Sequence, residues 1–271
     1  MPELPEVETT LRGISPHISN KLITKVQVRR PKLRWPIPDN LAELLTNQRV
    51  ISTSRRGKYL LIGVKHGTVL YHLGMSGSLR IINDDTQPLK KHDHVILHFK
   101  GIQLRLNDPR RFGAVLWTGD DPYTHPLLRD LGPEPLEDEF DAKYLYDNCR
   151  THKQAIKTWI MNSKCVVGVG NIYASEALFR TGIHPLKAAC KITKAESSKL
   201  VSNIKGVLAQ AIERGGTTLR DFVNSDGKPG YFAQELEVYG RGGEPCKKCN
   251  KPLTEKKIAQ RSTVYCTKCQ K

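Results

Sequence analysis

The order of hydrophobic and polar positions divides the chain into a strand-rich first part and a helical second part. Near the start, Val7, Leu11 and Ile14 recur at helical spacing after Pro5, which predicts a short helix over residues 5–14. The pattern then changes to short β-type runs that end at turn residues. These runs lie at residues 22–28, 48–54, 59–64, 68–73, 78–82, 95–99, 103–106 and 114–117. Many short strands at regular spacing indicate a β-sandwich or a barrel.

A segment rich in Asp, Glu, Pro and Gly follows the strands at residues 119–140 and indicates a loop or a linker between domains. Beyond it the periodicity is helical. Helices are expected at residues 141–150, at residues 154–162, from Asn171 onward, and from Thr193 to the pair Gly215-Gly216. Asn171 is a suitable N-cap, and Thr193 with Glu196 forms a capping box. An all-helical module is therefore predicted.

The net charge of the chain indicates a class of binding partner. The 271 residues contain 43 Lys and Arg against 27 Asp and Glu, a net charge of +16, and about +7 of it lies in residues 241–271. Such an excess predicts a polyanionic partner, nucleic acid before an anionic membrane surface. The sequence shows no apolar run long enough to span a membrane and no signal-peptide pattern. Neither a membrane span nor secretion is expected.

The cysteines fall into two groups. Cys149, Cys165 and Cys190 are scattered, and an odd total of 7 without a signal sequence favours a reducing compartment. The remaining cysteines form two C-x-x-C pairs separated by sixteen residues, Cys246, Cys249, Cys266 and Cys269. Four thiolates on two tight turns supply the tetrahedral ligands that Zn²⁺ prefers, with no open position for catalysis. One structural zinc ion is predicted, and four buried or disulfide-bonded cysteines are the alternative.

A potential nucleophile stands next to a carboxylate at Pro2 and Glu3. If Met1 is removed, Pro2 presents a secondary amine, and an α-amino pKa of about 7.7–8.0 leaves part of it unprotonated near neutrality. Such an amine can attack the anomeric carbon of a sugar and collapse to an iminium, while Glu3 donates a proton to that sugar. The alternative is that Pro2 and Pro5 only shape the chain start and the first helical turn.

Side chains able to enter a base stack stand on two predicted turns. Met75 lies between glycines on one turn, and Arg110, Arg111 and Phe112 follow one another on the second. An aromatic, apolar or guanidinium group on a projecting loop can occupy a gap between bases. Each stretch by itself is more often a surface turn.

Other residues offer phosphate contacts or acid–base chemistry. The glycine-rich turn before Asn171 opens a helix, whose free N–H groups favour an anion. Arg261 lies between the two cysteine pairs, where it could reach a phosphate. Lys58 starts an apolar strand and could be a general acid or base, although an edge lysine is the simpler interpretation. His92 and His94 lack a third ligand, so no metal is expected there.

These motifs, in this order, resemble those of the bacterial formamidopyrimidine-DNA glycosylases. The resemblance runs from residue 2 to 270 and is carried by residues 2–9, 72–77, 91–94, 108–113, 168–176 and 225–234 and by the four cysteines. It implies an α+β multidomain fold: an N-terminal β-sandwich with a first helix, a helix-two-turn-helix module and a C-terminal β-hairpin zinc finger. The implied divisions are residues 1–118, a linker at 119–135, the helical module at 136–216, a lesion-recognition loop region at 217–236 and the finger at 237–271.

The resemblance also implies an activity. Members of this family remove oxidised purines, chiefly 8-oxoguanine and formamidopyrimidines, from duplex DNA in base excision repair. They then cut the strand by β- and δ-elimination. The expected partner is double-stranded DNA that contains oxidised purines or abasic sites, and the only expected cofactor is one structural zinc ion. A monomer is expected, located in the cytoplasm in association with the nucleoid.

By motif position, the resemblance implies a role for each candidate residue. The implied catalytic residues are Pro2 as Schiff-base nucleophile, Glu3 as proton donor, Lys58 for β-elimination and Arg261 for δ-elimination. The implied DNA contacts are His92, Arg110, His152, Lys153, Lys157 and Asn171. The residues implied to fill the void left by a flipped nucleotide are Met75, Arg111 and Phe112. At Thr151-His152-Lys153 the chain departs from the unbroken basic run of many relatives, which leaves the phosphate contact there open.

Two alternatives remain. A glycosylase of the endonuclease VIII type shares the catalytic terminus but acts on oxidised pyrimidines. Leu4 after Pro2-Glu3 and the stretch at residues 225–234 favour the purine enzyme. A non-catalytic zinc-finger DNA-binding protein is the second alternative, and it would form no covalent adduct with DNA.

Overall fold

The structure is a computed structural model that describes residues 2–83, 87–217 and 232–271. Within these ranges the chain forms two compact units. The first contains residues 2–129 and 214–217, and the second contains residues 130–213 and 232–271. The helical module and the finger, predicted as separate segments, lie together in the second unit. Across the described ranges no helix is long and apolar enough to cross a membrane.

The first helix, α1 (Leu4–Ile18), is longer than predicted. Pro5 fits the first turn, where its missing N–H is not needed. The predicted end at Ile14 is one turn too early, because Ile14 and Ile18 are both fully buried on the same face. Pro16 is accommodated in the last turn, and the helix ends where Ser19 turns to an extended ψ of 133°.

Eight strands form two antiparallel sheets in the first unit. They are β1 (Lys25–Val28), β2 (Ser52–Arg56), β3 (Tyr59–Val64), β4 (Gly67–His72), β5 (Ser78–Ile82), β6 (Asp93–Phe99), β7 (Ile102–Asn107) and β8 (Ala114–Thr118). One sheet has the order β1-β6-β7-β5 and the other the order β2-β3-β4-β8. The short helix α2 (Leu41–Leu45) separates β1 from β2. Two of the predicted strands begin too early, since Leu22 and Arg49 form only an isolated bridge with each other.

One hydrophobic core joins the two sheets. It combines Leu97 and Leu104 from the first sheet, Leu60 and Val69 from the second, and Ile14 from α1. Helix α1 contacts β5 of one sheet and β2 and β3 of the other. This shared core confirms the predicted β-sandwich with its first helix.

Four helices and a hairpin build the second unit. They are α3 (Ala142–Cys149), α4 (Ile156–Ile160), α5 (Asn171–Thr181), α6 (Lys194–Glu213), β9 (Thr254–Ile258) and β10 (Arg261–Tyr265). The predicted capping box is present, because Glu196 N–H donates to Thr193 Oγ1 at 3.2 Å and Thr193 N–H donates to Glu196 Oε2 at 2.9 Å. Helix α4 is shorter than the predicted range, since Ala155 instead forms a bridge with Ala188.

A buried carboxylate fastens the finger to helix α5. Glu176 is fully buried, and its two oxygens accept the backbone N–H groups of Glu237, Val238 and Tyr239 at 2.8–3.0 Å. Three such donors stabilise a carboxylate that would otherwise be costly to bury. The predicted lesion-recognition loop region at 217–236 lies outside the described residues from 218 to 231.

Candidate active site and nucleic-acid interface

The candidate catalytic pair lies at the start of α1. Pro2 and Glu3 are both buried, and Glu3 is the N-cap of the helix. Glu6, one turn later, accepts the backbone N–H of Glu3 on Oε2 and that of Thr217 on Oε1, each at 2.8 Å. Glu6 therefore fixes the backbone of Glu3 and holds the backbone of Thr217 against the start of α1. This role of Glu6 was not predicted, although the spacing of Glu3 and Glu6 is that of a capping box.

Lys58 lies in a tight turn and not, as predicted, at the first position of a strand. The turn consists of Gly57 and Lys58 between β2 and β3, and Gly57 has a φ of 56°. Glycine at this position suits a two-residue hairpin turn that matches the twist of its strands. The turn places the half-buried Lys58 next to Tyr59, which pairs across the sheet with His72.

His72 is a neutral hydrogen-bond donor near Lys58. Burial, with the positive charges of Lys58 and Arg34, lowers the pKa of His72 to about 4. The backbone N–H of Gly74 donates to Nδ1 of His72 at 3.0 Å. A neutral imidazole that accepts on Nδ1 carries its proton on Nε2. No local sequence pattern indicates this role for His72, because only the fold brings the ring close to Lys58 and Arg34.

The residues proposed to enter a base stack stand on two adjoining loops. Met75 is 38% exposed and Phe112 is 45% exposed, which is unusual for large apolar side chains in this protein. The guanidinium of Arg110 lies 5.0 Å from the centre of the Phe112 ring. Arg111 has a φ of 56°, an uncommon conformation for a residue with a Cβ. The sequence predicted both turns, and the structure brings them together.

His92 lies just before β6, next to the buried Asp93 with which that strand begins. Asp93 and His94 are both buried and His92 is partly exposed. Nε2 of His94 lies 2.9 Å from the carbonyl oxygen of Asp108. His94 is thus bound within the fold, while His92 is accessible for a DNA contact.

The structure corrects the predicted N-cap at Asn171 and places Lys157 beside that residue. The N-cap of α5 is Gly170, and Asn171 is its first helical residue. Lys157 is 2% exposed, and its Nζ donates to Asn171 Oδ1 at 2.6 Å and to Thr263 Oγ1 at 2.7 Å. Lys157 therefore holds the side-chain oxygen of Asn171, whose Nδ2 donates to the carbonyl of Ser262 at 3.0 Å. The DNA contact expected of Lys157 stays a prediction.

His152, where the chain departs from the unbroken basic run of many relatives, packs against an aromatic side chain. The His152 ring stacks on Trp159 with centroids 3.6 Å apart and an interplanar angle of 23°. Lys153 is exposed. Between the two, Lys153 is the better placed cation for a phosphate contact.

Arg261 is exposed at the start of β10. The preceding turn residues, Ala259 and Gln260, have φ values of 46° and 65°. Two consecutive positive φ values define a tight turn that follows the twist of the hairpin. The turn places Arg261 at the tip of the finger hairpin.

The four cysteines form a group with the geometry of a zinc site. Their sulfur atoms all lie within 4.8 Å of one another. The Sγ–Sγ distance is 3.9 Å for Cys246 and Cys269 and 3.5 Å for Cys249 and Cys266. Zn–S bonds of about 2.3 Å in a tetrahedron place sulfurs about 3.8 Å apart. The residues therefore fit one structural zinc ion.

Family models match most of the chain. Residues 1–115 match the formamidopyrimidine-DNA glycosylase N-terminal domain, and residues 131–223 match the H2TH domain of the same glycosylase. Residues 243–271 match a zinc finger found in FPG and IleRS. These matches agree with the observed sandwich, helices and four-cysteine hairpin.

Similar proteins carry the same description. The chain is 62% identical over 272 residues to the formamidopyrimidine-DNA glycosylase of Saccharophagus degradans and 59% identical to that of Teredinibacter turnerae, with complete coverage of each. Among solved structures, the MutM (FPG) protein of Thermus thermophilus superposes with a TM-score of 0.89 at 36% identity, covering 99% of this chain and 98% of that chain. The Lactococcus lactis Fpg in complex with abasic-site DNA gives a TM-score of 0.92 at 32% identity, covering 99% of each chain. This chain therefore belongs to the formamidopyrimidine-DNA glycosylase family.

Proposed function

We propose that this protein is a bifunctional DNA glycosylase and abasic-site lyase that excises oxidised purines from duplex DNA through a Schiff base on Pro2. The observation that carries the proposal is the buried Pro2-Glu3 pair at the start of α1, with its backbone held by Glu6. Similar solved structures of the Lactococcus lactis Fpg are complexes with DNA that contains Fapy-dG or an abasic site, which supports this substrate class.

The reaction begins at the Pro2 nitrogen once Met1 has been removed. Its lone pair attacks C1′ of the lesion nucleotide, and the bond from C1′ to the base breaks, with the electron pair and the proton lost by the amine going to the departing base. Glu3 then protonates the ring oxygen of the sugar as the ring opens, and the nitrogen lone pair forms the iminium. Because Glu3 is buried beside Pro2, little water competes for that proton.

Two eliminations then cut the strand. The iminium acidifies the C2′ protons, and removal of one of them expels the 3′ phosphate. A second elimination expels the 5′ phosphate, and water then hydrolyses the iminium to release the amine and the sugar remnant as an aldehyde. Lys58 in the β2–β3 turn protonates the leaving group of the first elimination, and Arg261 at the hairpin tip serves the second.

Binding to DNA must expose C1′ of the lesion nucleotide to the Pro2 nitrogen. A base inside a duplex must be flipped out, at a cost of a few kcal/mol. Met75, Arg111 and Phe112 fill the resulting gap and offset that cost. His92, Arg110, Lys153 and Asn171 contact phosphates, with Asn171 held in orientation by Lys157.

Borohydride trapping tests the nucleophile. Incubation with a duplex that contains 8-oxoguanine, in the presence of borohydride, should give a covalent protein–DNA band. Protein that retains Met1 should give none, because its Pro2 nitrogen is part of a peptide bond. The Glu3→Gln variant serves as a second test, with base excision lost. Absence of the band with a confirmed free Pro2 would rule out the Schiff-base mechanism.

Substrate competition tests the lesion class. We expect faster cleavage of duplexes with 8-oxoguanine than of duplexes with thymine glycol. The opposite preference would indicate the endonuclease VIII type. Tight binding to both duplexes with no strand cleavage would indicate a non-catalytic DNA-binding protein.

A further inference from the structure

We propose that Ser76 is a positioning residue that locks the two wedge loops, residues 73–77 and 108–113, into one rigid unit. Met75 on the first loop and Phe112 on the second then enter the base stack in a single movement. This inference rests on the proposed function, since it concerns how the gap in the duplex is filled.

The Ser76 hydroxyl bridges the two loops. It donates to Oδ1 of Asp108 at 3.0 Å and accepts the backbone N–H of Arg110 at 3.3 Å. Ser76 is 3% exposed and Asp108 is fully buried. The other oxygen of Asp108 accepts the backbone N–H of Gly113 at 2.7 Å. The serine therefore completes a buried network that runs from one wedge loop to the other.

Backbone contact between the loops adds to this network. Gly74 has a φ of +64°, and a Cβ on it would lie 2.4 Å from the carbonyl carbon of Phe112. A Cβ on Gly113 would lie 2.8 Å from the carbonyl oxygen of His72. The loops touch at glycines, where no side chain separates them. One loop cannot shift without moving the other or breaking a buried hydrogen bond.

A joined pair of loops has an advantage in catalysis. Two independent loops would each lose conformational freedom when they enter the DNA, and that loss would weaken binding of the flipped state. Loops already held together have lost most of this freedom in the free protein. Removal of the Ser76 hydroxyl also leaves the buried Asp108 carboxylate with one partner fewer, which loosens the second loop.

The test compares a reaction that needs gap filling with one that does not. We expect Ser76→Ala to slow single-turnover excision of 8-oxoguanine from a duplex about tenfold, the factor that corresponds to about 1.4 kcal/mol. Elimination at a preformed abasic site in single-stranded DNA, which has no duplex stack to fill, should change less than about twofold. Ser78→Ala is the matched control, because Ser78 is also buried but lies in β5 outside the bridge. Ser76→Thr keeps the hydroxyl and should retain most of the duplex activity.

A double-mutant cycle measures the coupling. If the loops act as a unit, Ser76→Ala and Phe112→Ala together should slow duplex excision less than the product of their separate effects. Multiplicative effects, or wild-type duplex excision by Ser76→Ala, would overturn the proposal for Ser76. An equal loss on both substrates would show general structural damage and would also overturn it. Failure of the wild-type protein to cut the abasic strand would instead overturn the proposed lyase function.

Discussion

At the scale of single residues, buried polar side chains determine the chemistry available at the candidate site. His72 shows this clearly, because burial with Lys58 and Arg34 lowers its pKa to about 4. In the unfolded chain a histidine titrates near a pKa of about 6.5, so below that pH the unfolded chain binds more protons than the folded protein. The free energy of unfolding therefore falls as the pH decreases from about 6.5 toward about 4, and above about 6.5 this group adds no pH dependence.

We expect His72→Gln to make the free energy of unfolding less dependent on pH between about pH 6.5 and 4. The contribution of His72 between about pH 6.5 and 4 is at most about 3.5 kcal/mol, because its pKa is lowered from 6.5 to about 4 and 1 pKa unit corresponds to about 1.4 kcal/mol. Urea unfolding at a series of pH values measures it. His66→Gln, at an exposed position between β3 and β4, is the control. If the free energy of unfolding changed with pH equally in wild type and His72→Gln, a neutral His72 would be contradicted.

Lys157 is a second residue whose role follows from its surroundings. Lys157→Met removes the ammonium that satisfies Asn171 Oδ1 and Thr263 Oγ1. Unpaired buried acceptors cost about 1–3 kcal/mol, so a comparable decrease in the free energy of unfolding is expected. Denaturant unfolding checks this, with the exposed Lys153→Met as the control. Unchanged stability together with weaker DNA binding would instead indicate a direct phosphate contact.

At the scale of elements, the finger depends on its metal site more than on a core of its own. Its cluster contains Phe179 of α5 and a few finger side chains, Val238, Leu253 and Val264, besides buried cysteines. So small a core contributes little stability, and binding of zinc to four thiolates supplies free energy of folding.

We therefore expect chelation of zinc, or Cys249→Ser, to unfold the hairpin of β9 and β10 and to weaken DNA binding. Hydrogen exchange of the hairpin amides would rise, while that of β3 and β4 in the sandwich would not. Cys190→Ser, outside the four-cysteine group, is the control. Unchanged protection of the hairpin after confirmed metal removal would contradict a structural zinc.

Element boundaries show where local pattern and packing compete. The capping box of α6 was predicted correctly, because Thr193 and Glu196 interact with each other within one turn. The end of α1 was not, because Pro16 favours termination while the burial of Ile18 favours continuation. At α5 the side chain of Asn171 is drawn away from capping by Lys157 and Ser262, both distant in sequence.

At the scale of the whole molecule, the net charge of +16 predicts salt-sensitive binding to DNA. If Arg110 and Lys153 each neutralise one phosphate, they contribute about −1.8 to the slope of the logarithm of the binding constant against the logarithm of salt concentration. Lys153→Ala should reduce the magnitude of that slope by about 1. Lys143→Ala should not, because Lys143 is paired with Asp147 at 2.6 Å. Fluorescence anisotropy across a salt series measures both, and equal slopes for Lys153→Ala and wild type would exclude that contact.

The sequence by itself determined the features that depend on neighbours along the chain. The cysteine spacing, the helical and strand periods, the charge and the terminal Pro2-Glu3 pair are all local patterns, and together they indicated the family. Tertiary structure decided the roles that depend on contacts between distant segments: the neutral His72, the buried Lys157, the anchoring Glu6 and the Ser76 bridge. Burial and hydrogen-bond partners set the charge state and orientation of these groups, and neither can be read from a residue's neighbours in sequence.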